Sequence, residues 1–370
     1  MTVAQLEDAT AAISLKRQAL KVQPLQRNFS IDALYPNFKL QPHIGTEFKE
    51  GIQIRDILNA PNSDDLLFDL AVLIAERNVV FLRNQDITFE EQKEFADRLG
   101  KAAGKPATSG LHSHPISDSA DEFGDKNFKI SSEQGKKFGQ VYGGGTEFQS
   151  RAWHSDITFE PIPSDYAVLR LREAPPEGGD TLWASAYEVY DRLSPAFQKF
   201  LEGLTATHTG SGFLALHAAG FAKLNPGPRG APELVGTSLT TVHPVIRTNP
   251  VTGWKGVFVN AGFTKRINEL SKDESDIVLN HLYSLVVQNH DLQVRFRWNK
   301  HDVAVWDNRS SYHSATTDFD ADLYRRTGER STSLGERPYF DANSTSRREA
   351  LGLAPPAARR AHLASLAAKA

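Results

Sequence analysis

The sequence predicts a mixed α/β chain built on a double-sheet jelly roll, the cupin-like double-stranded β-helix, with helices flanking it. Three observations carry this expectation. Past residue 152, short runs rich in β-branched and aromatic residues recur between turn signals. A few longer stretches with helical spacing interrupt them. No internal repeat is present that would point to a solenoid or propeller.

Residues 1–22 are polar and alanine-rich, and residues 1–40 are read as an N-terminal extension. A single domain is expected over 41–343. Its opening third has a helical stretch at 66–77, a short buried strand at 79–82, and a helix starting at Thr88-Phe89-Glu90-Glu91 with an N-cap and early acids. Between 108 and 150 the chain turns polar and glycine-bearing, and the part at 117–150 is read as a lid or substrate loop. Strands are expected at 156–159, 167–172, 180–183, 242–248, 256–260, 294–298, 302–306 and 330–334, with helices at 186–204 and 271–287. The Ala-, Arg- and Pro-rich tail at 344–370 reads as a loose helix or docking segment.

A chain of 370 residues, 40% hydrophobic and 24% charged, can bury a substantial core. A formal charge of −3 gives no electrostatic footprint for a nucleic acid or an anionic membrane. With no cysteine there is no disulfide and no thiolate metal site, so any metal must be held by nitrogen and oxygen. No window approaches the roughly 18 apolar residues of a membrane span. The start of the chain lacks the pattern of a secretory signal, so the cytoplasm is the expected location. A homo-oligomer is left open.

The chemistry concentrates on Trp153-His154-Ser155-Asp156 and a distant His313. Two imidazoles and one carboxylate can occupy one face of an octahedral divalent ion and leave three positions open, the layout of non-haem Fe(II) oxygenases. On a strand, His154 and Asp156 would project from one face about 7 Å apart. The competing explanation is that some of twelve histidines simply lie near an aspartate. Thr181, after the Gly178-Gly179 turn, faces inward or is an ordinary strand threonine. Arg326 and Arg330 are an even number apart and face one way if the segment is extended; otherwise they pair with Asp318, Asp320 and Glu329 at the surface. His208, His217, His281, His290 and His301 lack spaced partners and read as surface or structural residues, and His243 as serving the fold. Gly143 to Gly145 lack a phosphate-loop lysine, which argues against a nucleotide site.

These segments, with Gly178-Gly179-Asp180-Thr181-Leu182-Trp183, His243-Pro244-Val245-Ile246-Arg247-Thr248-Asn249-Pro250, Phe258-Val259-Asn260, Gly262-Phe263-Thr264 and Trp306-Asp307-Asn308-Arg309, resemble the taurine dioxygenase (TauD/TfdA) family, in particular its fungal-type sulfonate dioxygenase members. The resemblance runs in order over about residues 44–340. It implies Fe(II), with 2-oxoglutarate and O2 as co-substrates and succinate and CO2 as products. His154, Asp156 and His313 would be the iron ligands, and Thr181 and Arg326 would hold the distal carboxylate of 2-oxoglutarate.

By the same resemblance, His114 in His112-Ser113-His114-Pro115 and Arg330 would grip an anionic group of a small organic substrate. Ser117 and Ser150 stand where taurine dioxygenases carry a tyrosine and an asparagine, which puts taurine's amino end in doubt. Phe159 would supply an apolar wall or be a core aromatic. The favoured substrate is an alkyl sulfonate, hydroxylated and split to an aldehyde and sulfite. The alternatives are an amino acid or other carboxylate, hydroxylated, desaturated or cyclised by the same site, a zinc hydrolase using the same ligands, and a non-catalytic 2-oxoglutarate sensor.

Overall fold

A computed structural model describes residues 23–117, 128–132 and 149–356, and its strands and helices form a mixed α/β fold. Its largest element is a seven-stranded sheet whose spatial order is Asn37–Lys39, Thr46–Phe48, Val79–Leu82, Val303–Asp307, Ser164–Glu173, Thr327–Leu334 and Phe128–Ser131. All neighbours are antiparallel except Thr46–Phe48 against Val79–Leu82.

Three strands at the centre of this sheet alternate between two cores. Val80, Leu82, Tyr166, Val168, Val303 and Val305 pack outward against the helices Ser63–Arg77 and Phe89–Ala102. Val79, Phe81, Ala167, Leu169, Ala304 and Trp306 point the other way. There they meet Trp183, Val294 and Phe296 of a second, three-stranded sheet ordered Gln293–Phe296, Thr181–Ser185, Ser311–Ala315. Burial on both faces is why Val79-Val80-Phe81-Leu82 reads as an unbroken apolar run. A further core joins the helices Ala186–Arg192 and Lys272–Gln288 to the outside of the smaller sheet.

The helix after Thr88 begins on a full capping box with Glu91. The helix expected over 186–204 is two, Ala186–Arg192 and Pro195–Leu201, because Ser194 caps a new start and Pro195 occupies its first turn. No strand forms at 156–159. Ile157 adopts φ 49°, and the Glu160 amide closes a turn onto the Ile157 carbonyl at 2.9 Å.

Residues 1–22 lie outside the described residues, whereas 23–40 are bound to the body of the protein. The Leu25 amide donates to the Val251 carbonyl at 2.8 Å, Arg27 pairs with Asp69 at 2.7 Å, and Ile31 is fully buried. The start of the tail is docked as well. The Lys255 amide donates to the Thr345 carbonyl at 2.9 Å, and Arg347 and Arg348 reach the buried Glu188 at 3.4 and 2.9 Å. Most of the expected lid at 117–150 lies outside the described residues. Its described strand, Phe128–Ser131, edges the large sheet alongside Thr327–Arg330. Among the described residues no helix is long and apolar enough to cross a membrane.

A candidate metal centre between the two sheets

His154 and His313 face each other as an isolated antiparallel bridge. The His154 amide donates to the His313 carbonyl at 3.0 Å and the His313 amide returns the bond at 2.8 Å. Residues directly opposite in such a pair project their side chains together, so both imidazoles come to one place. Asp156 arrives from the turn that follows, its amide donating to Asn308 Oδ1 at 3.0 Å. Asn308 Oδ1 also accepts from the Trp306 indole at 3.0 Å, and its amide nitrogen donates to Ser164 Oγ at 2.9 Å. The expected proximity of His154 and Asp156 is therefore present, but Asp156 reaches His154 from a turn instead of along one strand, and His313 joins them through the bridge.

Asp156 Oδ1 lies 3.8 Å from both His154 Nε2 and His313 Nε2, and the three candidate ligand atoms lie within 4.8 Å of one another. His154 Nδ1–H donates to the Ala152 carbonyl at 2.7 Å, which leaves the Nε2 lone pair for a cation. Burial pushes the His313 pKa down to about 3, so that imidazole too is neutral at pH 7. Among the described residues, Asp156 Oδ2 is buried without a hydrogen-bond partner. Burial alone would raise the Asp156 carboxyl, but Arg330, then His313 and His154, outweigh it and hold the group below its ordinary value. Neutral nitrogens beside an ionised, incompletely satisfied carboxylate are a donor set suited to a divalent metal such as iron.

The three side chains open on a cavity of about 220 Å³ that Thr181, Arg326, His114 and Arg330 also line. Thr181 sits on the smaller sheet opposite Ala315, two positions along from the pairing of Trp183 with His313. Arg326 enters just before the strand Thr327–Leu334, and Arg330 faces Leu169 across the large sheet. Arg326 Nε donates to the Gly179 carbonyl at 2.6 Å and its Nη2 to Thr181 Oγ1 at 3.1 Å. Gly179 can make this approach because it has no Cβ: its φ is +66°, and a Cβ would meet Arg326 Cδ at 3.0 Å. Burial lowers the Arg326 pKa to about 10, which still leaves a cation at neutral pH. Asp318 pairs instead with Arg295 at 3.0 Å and Glu329 with Arg172 at 2.7 Å, so neither draws the two arginines to the surface.

Arg330 Nη1 donates to Asp156 Oδ1 at 2.7 Å. His114 stands edge-on to Phe213 with ring centres 5.0 Å apart, its Nδ1 3.0 Å from the Ile116 carbonyl. Burial, then the neighbouring His112 and Arg330, hold His114 well below its ordinary pKa. Phe159 does not line the cavity. It is fully buried behind Phe213 and Phe263, at 5.4 and 5.1 Å between ring centres, and those two form the wall. Ser150 lies in the short turn Gln149–Ala152 and is not among the lining residues, and Ser117 lies in a two-residue strand paired with Lys223–Leu224.

Sequence reasoning did not place Ile157, Leu169, Phe213, Phe263, Trp306 and Ala315 in the cavity lining, nor Asn308 behind Asp156. Phe263 and Asn308 lie inside quoted motifs and had a signal; Phe213, on the helix Ser211–Ala218, had none.

Residues 36–332 match the family described as Taurine catabolism dioxygenase TauD, TfdA family. The chain is 45% identical over 350 residues to the alpha-ketoglutarate-dependent dioxygenase btcD of Neocamarosporium betae, covering 90% of this chain and 99% of that one. It is 34% identical to an alpha-ketoglutarate-dependent sulfonate dioxygenase of Saccharomyces cerevisiae, covering 82% of this chain and 68% of that one. Among solved structures, a putative alpha-ketoglutarate-dependent taurine dioxygenase from Burkholderia xenovorans superposes with a TM-score of 0.62 at 27% identity, over 82% of this chain and 91% of that one. The chain belongs to the TauD/TfdA family and is an alpha-ketoglutarate-dependent dioxygenase.

Proposed function

We propose that this dioxygenase holds Fe(II) through His154, Asp156 and His313, takes 2-oxoglutarate and O2, and oxidises a C–H bond of a small organic anion. The observation that carries the reading is that a single cavity is lined by the three ligand side chains, by Arg326 with Thr181, and by His114 with Arg330. With its co-substrates bound, the iron supplies C–H oxidation coupled to the conversion of 2-oxoglutarate to succinate and CO2.

The chain's own residues bind and orient. Among the described residues no carboxylate hydrogen-bonds the buried Arg326 side chain; a guanidinium so placed favours an anion, and its fork matches the distal carboxylate of 2-oxoglutarate. A zinc hydrolase has no use for that clamp. His114 and Arg330 fix the anionic group of the substrate, while Phe213, Phe263 and Ile157 hold its carbon skeleton and exclude water. The two facing sheets are read as a jelly roll, which would place these groups on rigid strands.

An alkyl sulfonate is the favoured substrate. Hydroxylation at the carbon bearing the sulfonate gives a hydroxysulfonate that separates into an aldehyde and sulfite. The name of the yeast relative supports this reading. An amino acid or other carboxylate stays as the second reading because the name of the relative at 45% identity states no substrate. The test is a panel of alkyl sulfonates, amino acids and carboxylates, assayed for sulfite and succinate with Fe(II) and 2-oxoglutarate. Equal sulfite and succinate from a sulfonate is the expected result. Succinate without sulfite from a carboxylate would move the enzyme to the second reading, and no succinate from any compound would overturn both.

A further inference from the structure

Trp298 makes a contact at the site that the reading above does not use. It follows the strand Gln293–Phe296, two residues beyond Phe296, which is the register partner of Thr181. Its ring is wedged edge-on to Phe296 at 5.0 Å and lies 6.3 Å from Trp183, with 4% of its surface exposed. From that seat its indole Nε1–H donates to Thr181 Oγ1 at 3.0 Å. Arg326 Nη2 donates to the same oxygen at 3.1 Å.

A hydroxyl oxygen has two lone pairs and one proton. With one lone pair facing Trp298 and the other facing Arg326, the proton of Thr181 must take the remaining direction. No acceptor among the described residues receives it, and Thr181 lines the cavity. We propose that Trp298 is a positioning residue for the co-substrate. By occupying one lone pair of Thr181, it sets the hydroxyl as a fixed donor aimed at the carboxylate that Arg326 binds. The inference rests on the assignment of Thr181 and Arg326 to the distal carboxylate of 2-oxoglutarate. Preset donors of this kind bind an anion without having to reorganise when it arrives.

The test compares 2-oxoglutarate with 2-oxovalerate, which has a methyl group in place of the distal carboxylate. Each is titrated calorimetrically into Mn(II)-loaded protein under anaerobic conditions. Trp298→Phe keeps an aromatic ring and removes the donor. It is expected to weaken 2-oxoglutarate roughly three- to tenfold and to leave 2-oxovalerate unchanged. With Fe(II), the KM for 2-oxoglutarate should rise by the same factor with kcat little altered. In a Thr181→Val background the Trp298→Phe change should add nothing further.

Equal weakening of both oxo acids by Trp298→Phe would make the tryptophan merely structural and overturn the proposal. So would a normal response of Trp298→Phe alongside a weakened Thr181→Val. If Thr181→Val and Arg326→Ala both spare the preference for 2-oxoglutarate, the assignment beneath the proposal fails instead. Should Trp298→Phe not fold, the five tryptophans give five indole N–H resonances in the Zn(II)-loaded protein. One of them should move in Thr181→Val and stay in place in Thr181→Ser; no movement overturns the proposal.

Discussion

Asp156 has two claims on it, one from the imidazoles beside it and one from Arg330 at 2.7 Å. Replacing His154, Asp156 or His313 by Ala should abolish Fe(II) binding and succinate formation with the circular-dichroism spectrum retained. Turnover in any of the three would remove that residue from the ligand set. Chelator treatment should likewise silence the enzyme, with activity restored by Fe(II) and not by Zn(II). The two arginines should separate in kinetics. Arg326→Ala should raise the 2-oxoglutarate requirement by about one to two orders of magnitude, the scale of a charged hydrogen-bond pair. Arg330→Ala should act on the primary substrate instead; a shift in the same constant for both would show that the division of roles is wrong. These residues were legible as types and spacings. The contact between Arg330 and Asp156 was not, because nothing local links a strand to a turn 174 positions away.

At the level of elements, Asn308 ties together a turn, a strand end and a buried tryptophan. Asn308→Ala would leave the Asp156 amide and the Trp306 indole as buried donors without acceptors. The expected cost is about 1–3 kcal/mol in urea unfolding, with weaker metal retention. Unaltered stability and metal content would reduce Asn308 to a bystander. The sequence reads 156–159 as a strand because Ile157, Thr158 and Phe159 form a short β-branched and aromatic run. The structure instead holds Ile157 at a positive φ that a β-branched residue seldom adopts, a conformation imposed by tertiary contacts and invisible to local propensity. The break at Ser194-Pro195, by contrast, was open to reading as an N-cap followed by proline. The capping box at Thr88 and the buried strand at 79–82 were legible because their causes are local.

Across the whole molecule, the ends of the described chain act as fasteners. Glu188 is fully buried and is met by Arg347, Arg348 and His43. Removing residues 344–370 would leave it without either arginine, and the expected loss is about 3–5 kcal/mol in urea unfolding. A truncated protein as stable as the full chain would show that the tail only decorates the surface. The extension and tail were set apart by composition alone, which carries no information about where a segment docks. The topology of the large sheet has a further consequence, for biosynthesis. Val303–Asp307 lies between Val79–Leu82 and Ser164–Glu173, and its pairing of Val303 with Leu82 spans about 220 positions. A ribosome must therefore extrude most of the chain before the middle of that sheet can close. Until then, strands of the first half present unpaired edges, and the nascent protein depends on chaperones or speed to avoid sticking to its neighbours.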